Sequence, residues 1–266
     1  MINVAVLGHG TIGSGVVEVL QTNAAVIAKR VGEDIAVKYI LDLRDFPGDP
    51  NADKVVHDYD IIDKDSDIQV VVECMGGVEP AYTFVKKALL SGKSVATSNK
   101  ELVAKHGAEL IAIAREKNIN FLFEASVGGG IPIIRPIHQC LAANDVIEIA
   151  GILNGTTNFI LTKMIRDQMS FEDALALAQK LGYAERNPAA DIEGDDACRK
   201  ICILASLAFG KHVYPDQVHT EGITKVTLGD VEYAEAWGGV IKLIGRVKMM
   251  DDHRIQIIVC PMLIPR

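Results

Sequence analysis

The 266-residue sequence has no excess of basic residues: 27 Lys and Arg stand against 35 Asp and Glu, a formal net charge of -8 at pH 7. A surface that tracks phosphate needs the opposite balance, so no nucleic acid and no membrane is expected as a partner, although local basic groups can still bind a phosphate. No apolar run is long enough to span a bilayer. The opening Met1-Ile2-Asn3-Val4 has no basic region followed by an apolar segment and no small-residue cleavage site, so no leader is expected. Low-complexity tracts and internal repeats are also lacking. Cysteine is sparse, odd in number and scattered (Cys74, Cys140, Cys198, Cys202, Cys260), which reads as free thiols in a reducing compartment, the cytoplasm by default. Cys198 and Cys202 are four apart and could share a helix face. A zinc site would need two more soft ligands nearby, so they read as buried small apolar residues.

What is present is ordinary globular material, 49% hydrophobic and 23% charged, in a chain long enough to bury two cores. Ile2 to Leu7 is a Val- and Ile-rich run that stops at Gly8-His9-Gly10-Thr11-Ile12-Gly13, as a buried parallel strand feeding a glycine turn would. A helical apolar pattern follows from Val16 to Ile27, then a strand from Ile35 to Leu41. The next strand, Gln69 to Val72, leads into Glu73-Cys74-Met75-Gly76-Gly77. A helix from Glu79-Pro80 to Ser91-Gly92, a strand from Ser94 to Thr97, a helix capped by Ser98-Asn99-Lys100 and a strand from Asn120 to Phe123 complete the alternation. Alternating strands and helices predict a doubly wound α/β domain. The pattern changes after Gly128-Gly129-Gly130, so residues 1–130 are expected to form one domain and 131–266 another. The second carries helical patterns over Ile131 to Cys140, Thr157 to Arg166, Phe171 to Leu181 and Ile192 to Phe209. Strand-like stretches over Asp145 to Gly151, Val240 to Met249 and Ile255 to Val259 predict an antiparallel sheet beside them.

Several residues carry chemistry. In Gly8-x-Gly10-x-x-Gly13 the first glycine suits a tight turn, the second close approach of a pyrophosphate, and the third close helix packing. A plain strand-to-helix turn is the alternative, but the flanking βαβ unit favours a dinucleotide. Asp42 could hold a ribose 2′-hydroxyl, as NAD requires, whereas Arg44 could neutralise the 2′-phosphate of NADP. His9 is expected to face solvent without a catalytic role. Asp196 and Lys200, four apart on a predicted helix, could be a proton-handling pair or a surface salt bridge. Lys100 follows a strand's carboxyl edge, where ligands of open α/β sheets gather. Thr156, in the Asn154-Gly155-Thr156-Thr157 turn, reads as a helix cap. The glycine-rich turn at Gly128-Gly129-Gly130 could be a hinge, or could direct carbonyl oxygens at a cation with Glu124 offsetting its charge.

The stretch from Ala178 to Lys200, with Ala178, Gly182, Asn187-Pro188, Asp191-Ile192, Gly194, Asp196 and Lys200 at fixed spacing, resembles the signature of homoserine dehydrogenases. Gly151 to Leu161, Thr97 to Val103 and Glu124 to Pro132 extend the resemblance over essentially the whole chain. It implies a Rossmann-type parallel sheet with a second α+β domain for substrate binding and dimerisation. It also implies NAD(P)-dependent interconversion of L-homoserine and L-aspartate 4-semialdehyde in threonine, methionine and isoleucine synthesis, by a homodimer. Lys200 would be the proton donor, with Asp196 orienting it and Lys100 near the nicotinamide ribose or substrate. Glu185, Gly182, Asp196 and Thr156 would meet substrate. Gly8, Gly10, Thr11, Ile12, Gly13, Asp42, Arg44, Cys74, Met75, Ser98, Lys100 and Gly182 would meet cofactor. Glu124, Val127, Gly129 and Ile131 would hold a monovalent cation, with Na⁺ the expected ion. The resemblance further implies that relatives continue beyond Arg266 with more of the second domain's sheet. A cofactor-binding but inactive fragment and a related amino-acid dehydrogenase are the alternative readings.

Overall fold

The computed structural model describes residues 1–251 and 254–265. Arg266, the last residue of the expected second domain, lies outside the described residues. The chain divides by contact into two units, Met1–Ile133 and Ile134–Arg266.

The first unit runs β1 (Ile2–Leu7), α1 (Thr11–Thr22), α2 (Ala24–Val31), β2 (Ile35–Leu41), β3 (Val55–Val56), α3 (Tyr59–Asp63), β4 (Ile68–Glu73), α4 (Ala81–Leu90), β5 (Ser94–Thr97), α5 (Lys100–Glu116) and β6 (Phe121–Leu122). Its six strands lie in the order β3-β2-β1-β4-β5-β6, and every pairing is parallel. This is the expected doubly wound sheet. Four consecutive residues of β1, Val4 to Leu7, are buried; both faces of the strand are therefore covered, which is why it reads as a continuous apolar run. Val4, Val6, Val17, Val37 and Ile40 make one core cluster, each such side chain contributing about 1.5–3 kcal/mol by leaving water.

The single helix expected after the turn is two helices. Asn23 interrupts it, accepting the role of C-cap for α1 and N-cap for α2, and Gly32 closes α2 with a left-handed φ of 85°. The apolar pattern survives the break, so periodicity alone does not reveal it.

The second unit holds β7 (Glu148–Gly151), α6 (Gly155–Asp167), α7 (Phe171–Lys180), α8 (Ala189–Ile192), α9 (Asp195–Phe209), β8 (His219–Thr220), α10 (Leu228–Ala236), β9 (Gly239–Met249) and β10 (Ile255–Pro265). Its four-stranded sheet has the order β7-β9-β10-β8. β7 and β10 flank β9 antiparallel, as expected, but β8 pairs parallel to β10, so the sheet is mixed. The helical stretch expected from Ile131 is confined to a wide π-turn at Pro136–Cys140 and the turn leading into it. The long helix expected over 192–209 is α9 alone, separated from α8 at Gly194, whose φ is 91°. β10 runs on to Pro265, past the expected end at Val259. Ile160, Leu161, Met164, Ile201, Leu243, Val247 and Val259 form the core of the unit, and Cys198 and Cys202 are buried within it, as read from the sequence.

Candidate functional site

In the first unit the sheet's carboxyl edge gathers most of the expected cofactor residues. Gly8 has a φ of 94°, and a Cβ placed there would lie 3.2 Å from the Cys74 and Met75 backbone. A Cβ at Gly13 would lie 1.8 Å from the Gly8 carbonyl oxygen, whereas one at Gly10 would meet nothing within 4 Å. The three glycines thus differ in what they meet: Gly8 makes the turn, Gly13 lets α1 close on it, and Gly10 leaves open space beside the helix start. Thr11 and Ile12 open α1 and are exposed.

Asp42, just past β2, is tied to this turn. Its Oδ2 accepts the His9 backbone N–H at 2.9 Å, and the Arg44 guanidinium donates to both of its oxygens, at 3.0 and 2.9 Å. Hydrogen bonding from that guanidinium holds the Asp42 carboxyl well below the usual carboxylate range. The two residues read from sequence as competitors for a ribose hydroxyl and a phosphate are therefore partners of each other.

His9 corrects an expectation. It is only 6% exposed, with Nε2 3.0 Å from Asp49 Oδ2 and its ring edge-on to Phe46. The loop after β2 therefore packs on the His9 side chain, through Phe46 and Asp49, and leaves Gly10 exposed.

The loop after β4 carries Cys74 and Met75. Burial pushes the Cys74 thiol up to about 12, which keeps it a neutral thiol. Ser98 donates its backbone N–H to the Glu73 carbonyl at 3.3 Å, and Lys100 is the first residue of α5. Glu73, which sequence reasoning passed over, is fully buried at the centre of this edge.

At the end of the unit, Glu124 Oε1 accepts the Ile133 N–H at 2.6 Å. A Cβ at Gly128 would lie 2.4 Å from the Ile131 carbonyl oxygen, so the segment carrying Val127, Gly129 and Ile131 doubles back on itself. Its donors are one carboxylate and backbone oxygens, a hard set that suits an alkali cation better than a transition metal.

In the second unit Asp196 and Lys200 form a salt bridge of 2.8 Å with side-chain exposures of 5% and 15%. This is no surface pair. Lys200 Nζ also donates to the Leu153 carbonyl oxygen at 2.9 Å, and Asn154 Nδ2 donates to Asp191 Oδ1 at 2.7 Å and Asp196 Oδ2 at 2.9 Å. Asn154 is also the N-cap of α6, its Oδ1 accepting the Thr157 N–H at 2.8 Å. Thr156 is therefore not the cap; its hydroxyl donates to the Tyr183 carbonyl oxygen at 2.7 Å, fastening the Gly182-Tyr183 loop to the start of α6. Asp191 and Asn154 are thus bonded into the group around Lys200, and the sequence reading did not select them as candidate site residues. Gly182 and Glu185 are exposed in that loop, and the Glu185 carbonyl oxygen accepts from Gln179 at 3.1 Å; among the described residues no hydrogen bond joins either to Lys200.

A glycine turn at the carboxyl edge of a doubly wound parallel sheet defines the class as an α/β protein with a nucleotide-binding unit. Comparison with known proteins takes this further. Residues 132–266 match the family model described as homoserine dehydrogenase, and residues 8–124 match that of the homoserine dehydrogenase NAD binding domain. A homoserine dehydrogenase of Pseudomonas aeruginosa is 45% identical over 99% of this chain and 61% of its own length. The crystal structure of a homoserine dehydrogenase from Thiobacillus denitrificans superposes with a TM-score of 0.93 at 42% identity, covering 99% of this chain and 62% of that one. A hyperthermophilic archaeal homoserine dehydrogenase in complex with NADPH gives a TM-score of 0.81 at 26% identity, over 98% of this chain and 81% of that one. The chain belongs to the homoserine dehydrogenase family. It spans about three fifths of the length of the curated relatives it matches.

Proposed function

We propose that the chain carries the dinucleotide-binding domain (1–130) and substrate-binding and dimerisation domain (131–266) of an NAD(P)-dependent homoserine dehydrogenase, which interconverts L-homoserine and L-aspartate 4-semialdehyde. The observation that carries this reading is the buried Asp196–Lys200 pair. Reduction of an aldehyde builds negative charge on its oxygen, and a positioned ammonium stabilises that charge and then delivers a proton. An ammonium has three N–H donors. Lys200 uses one on Asp196 and one on the Leu153 carbonyl, and the remaining one serves the substrate oxygen. Asp196, held in turn by Asn154, sets the direction of the Lys200 chain. Glu185 takes the substrate ammonium group, Thr156 and Gly182 shape its pocket, and Lys100 meets the nicotinamide ribose or the substrate.

The bound nicotinamide supplies or accepts the hydride. Gly8, Gly10, Thr11, Ile12 and Gly13 would hold its pyrophosphate, with Cys74, Met75 and Ser98 along the same edge of the first unit, and Gly182 is a further proposed cofactor contact. A relative solved with NADPH and the mutual pairing of Asp42 with Arg44 support use of both NAD and NADP, with a lean toward NAD. Glu124 and the carbonyls of Val127, Gly129 and Ile131 are the proposed holders of a monovalent cation, Na⁺, which would brace the end of the first unit. The working form is a cytoplasmic homodimer. Among the described residues no helix is long and apolar enough to cross a membrane.

The direct test is the initial rate of NADH or NADPH formation from L-homoserine with each oxidised cofactor. Turnover on L-homoserine above that on other hydroxy amino acids is expected. NAD(P)H binding with no turnover on L-homoserine would leave a cofactor-binding protein and sink the catalytic reading.

A further inference from the structure

Glu73 ends β4 with no exposed surface at all. Among the described residues its partners are all neutral. Oε1 accepts the backbone N–H of Met75 at 2.7 Å and of Gly76 at 3.4 Å, and lies 3.5 Å from Asn99 Nδ2; Oε2 accepts the Thr97 hydroxyl. A buried carboxyl group facing only neutral donors is costly, because each of its lone pairs must be matched without a countercharge. Such a group persists where it fixes an arrangement.

What it fixes can be followed atom by atom. Thr97 Oγ1, while donating to Glu73, accepts the Asn99 N–H at 2.9 Å. Asn99 Nδ2 donates to the Gly77 carbonyl at 2.6 Å, and Asn99 Oδ1 caps α5 by accepting the Leu102 N–H at 3.1 Å. The ring closes from Glu73 through Thr97 and Asn99 to Gly77, joining the loop after β4 to the first turn of α5, where Lys100 sits. The same loop backs the glycine turn, since the Cys74 N–H donates to the Leu7 carbonyl at 2.8 Å.

In a sheet ordered β3-β2-β1-β4-β5-β6, a dinucleotide lies across the carboxyl edge with its adenosine over the β2 side and its nicotinamide over the β4 and β5 side. We infer that Glu73 is a positioning residue for the nicotinamide half of the cofactor site: it sets the Cys74–Gly77 loop and, through Thr97 and Asn99, the backbone from which Lys100 projects. This rests on the proposed reading of the first unit as a dinucleotide-binding domain, and concerns which half of the ligand one carboxyl group governs.

The test compares NADH with ADP-ribose, which lacks the nicotinamide, in binding titrations on the whole chain and its Glu73→Gln and Thr97→Val variants. The amide of Glu73→Gln keeps one acceptor oxygen where the carboxyl group has two, so it can hold either the Met75 and Gly76 N–H groups or the Thr97 hydroxyl but not both, and Thr97→Val removes that hydroxyl at nearly constant shape. Each substitution is expected to weaken NADH binding by about tenfold, the scale of one lost charge-assisted hydrogen bond, and to leave ADP-ribose affinity unchanged. Hydrogen exchange at the Met75, Gly76 and Leu102 amides should quicken in both, while the Val6 and Val71 amides in the sheet stay protected. Unchanged NADH affinity in either folded variant overturns the proposal. So does an equal loss for NADH and ADP-ribose, which would mark Glu73 as a support of the whole unit, and so does unaltered exchange at those three amides. If the unsubstituted protein binds neither ligand, the reading of the domain falls and the proposal with it. That failure is visible before any substitution, so the two are told apart.

Discussion

Glu73 in the first unit and Asp196 in the second are both buried carboxyl groups at the heart of a candidate site, and they are satisfied in opposite ways. Asp196 faces a cation, Lys200, with one amide from Asn154 beside it. Glu73 faces backbone N–H groups, a hydroxyl and an amide. The difference follows from what each must hold. A carboxylate paired with an ammonium keeps a proton carrier charged and aimed, and the carrier remains partly accessible to a reacting atom. A carboxyl group ringed by neutral donors holds backbone, and nothing in it needs to reach solvent. Chemistry is expected to sit with the paired carboxylate and geometry with the unpaired one.

The largest effect that could break this division is on turnover. Lys200→Ala should lower kcat in both directions by roughly two or more orders of magnitude, the usual scale for a positioned acid or base, with cofactor affinity near normal. Steady-state rates and a nucleotide titration on the same preparation check it. Turnover near that of the unsubstituted protein, in a folded Lys200→Ala variant that still binds cofactor, would pass the proton-donor role to Lys100.

The glycine turn separates local from global cost within the first unit. Gly10→Leu projects into open space, so it should abolish cofactor binding and leave the melting temperature unchanged. Gly13→Ala drives a methyl group against the Gly8 carbonyl and should lower stability by about 1–3 kcal/mol as the turn shifts, the typical range for overpacking. Equal melting temperatures with equal cofactor affinities would remove the case for the pyrophosphate turn.

What was legible in the sequence is what depends on near neighbours. The glycine spacing, the strand feeding it, and the four-residue spacing of Asp196 and Lys200 all lie within one element or one turn, where periodicity and reach are set by backbone geometry. The mistaken or missed residues depend on distant ones. His9 is buried because Phe46 and Asp49 fold over it. Glu73 at a strand end reads as an ordinary charge until Thr97 and Asn99 arrive from β5 and its following turn. Asn154 looks like a helix cap and is one, but its other bonds go to Asp191 and Asp196, 37 and 42 residues away. In the fold, the parallel pairing of β8 with β10 involves only two residues of each strand, too short a run to leave a pattern.

A smaller effect concerns cofactor choice. Arg44→Ala removes the one cation bound at Asp42 among the described residues and should weaken NADP binding by about tenfold, the scale of one charge-assisted contact, while leaving NAD binding the same or tighter. Competitive titration of the two nucleotides reads the ratio directly. A strong preference for NADP in the unsubstituted protein would show instead that Arg44 dominates Asp42 at this strand end.

The smallest effect comes from the same pair and bears on how an exposed partner differs from a buried one. The Asp42 carboxyl is depressed first by the Arg44 guanidinium and then by backbone N–H groups of His9 and Arg44. Unfolded, it returns to the usual carboxylate range near about 4. Because the folded value is the lower of the two, the linked stability is fully present above the unfolded value and is lost as pH falls toward the folded one. Arg44 is 64% exposed in its side chain, so solvent screens much of the attraction and the gain is slight. Arg44→Ala should therefore be a little less stable than the unsubstituted protein at pH 7, and the gap should close as the pH drops well below about 4, where Asp42 protonates in the unfolded chain and the depressed native carboxyl begins to follow. Urea unfolding of both proteins across that range measures it. A gap that stays constant with pH would mean that Arg44 contributes by packing over Phe46, 5.1 Å from its ring centre, and that its charge adds nothing to the stability of the folded strand end.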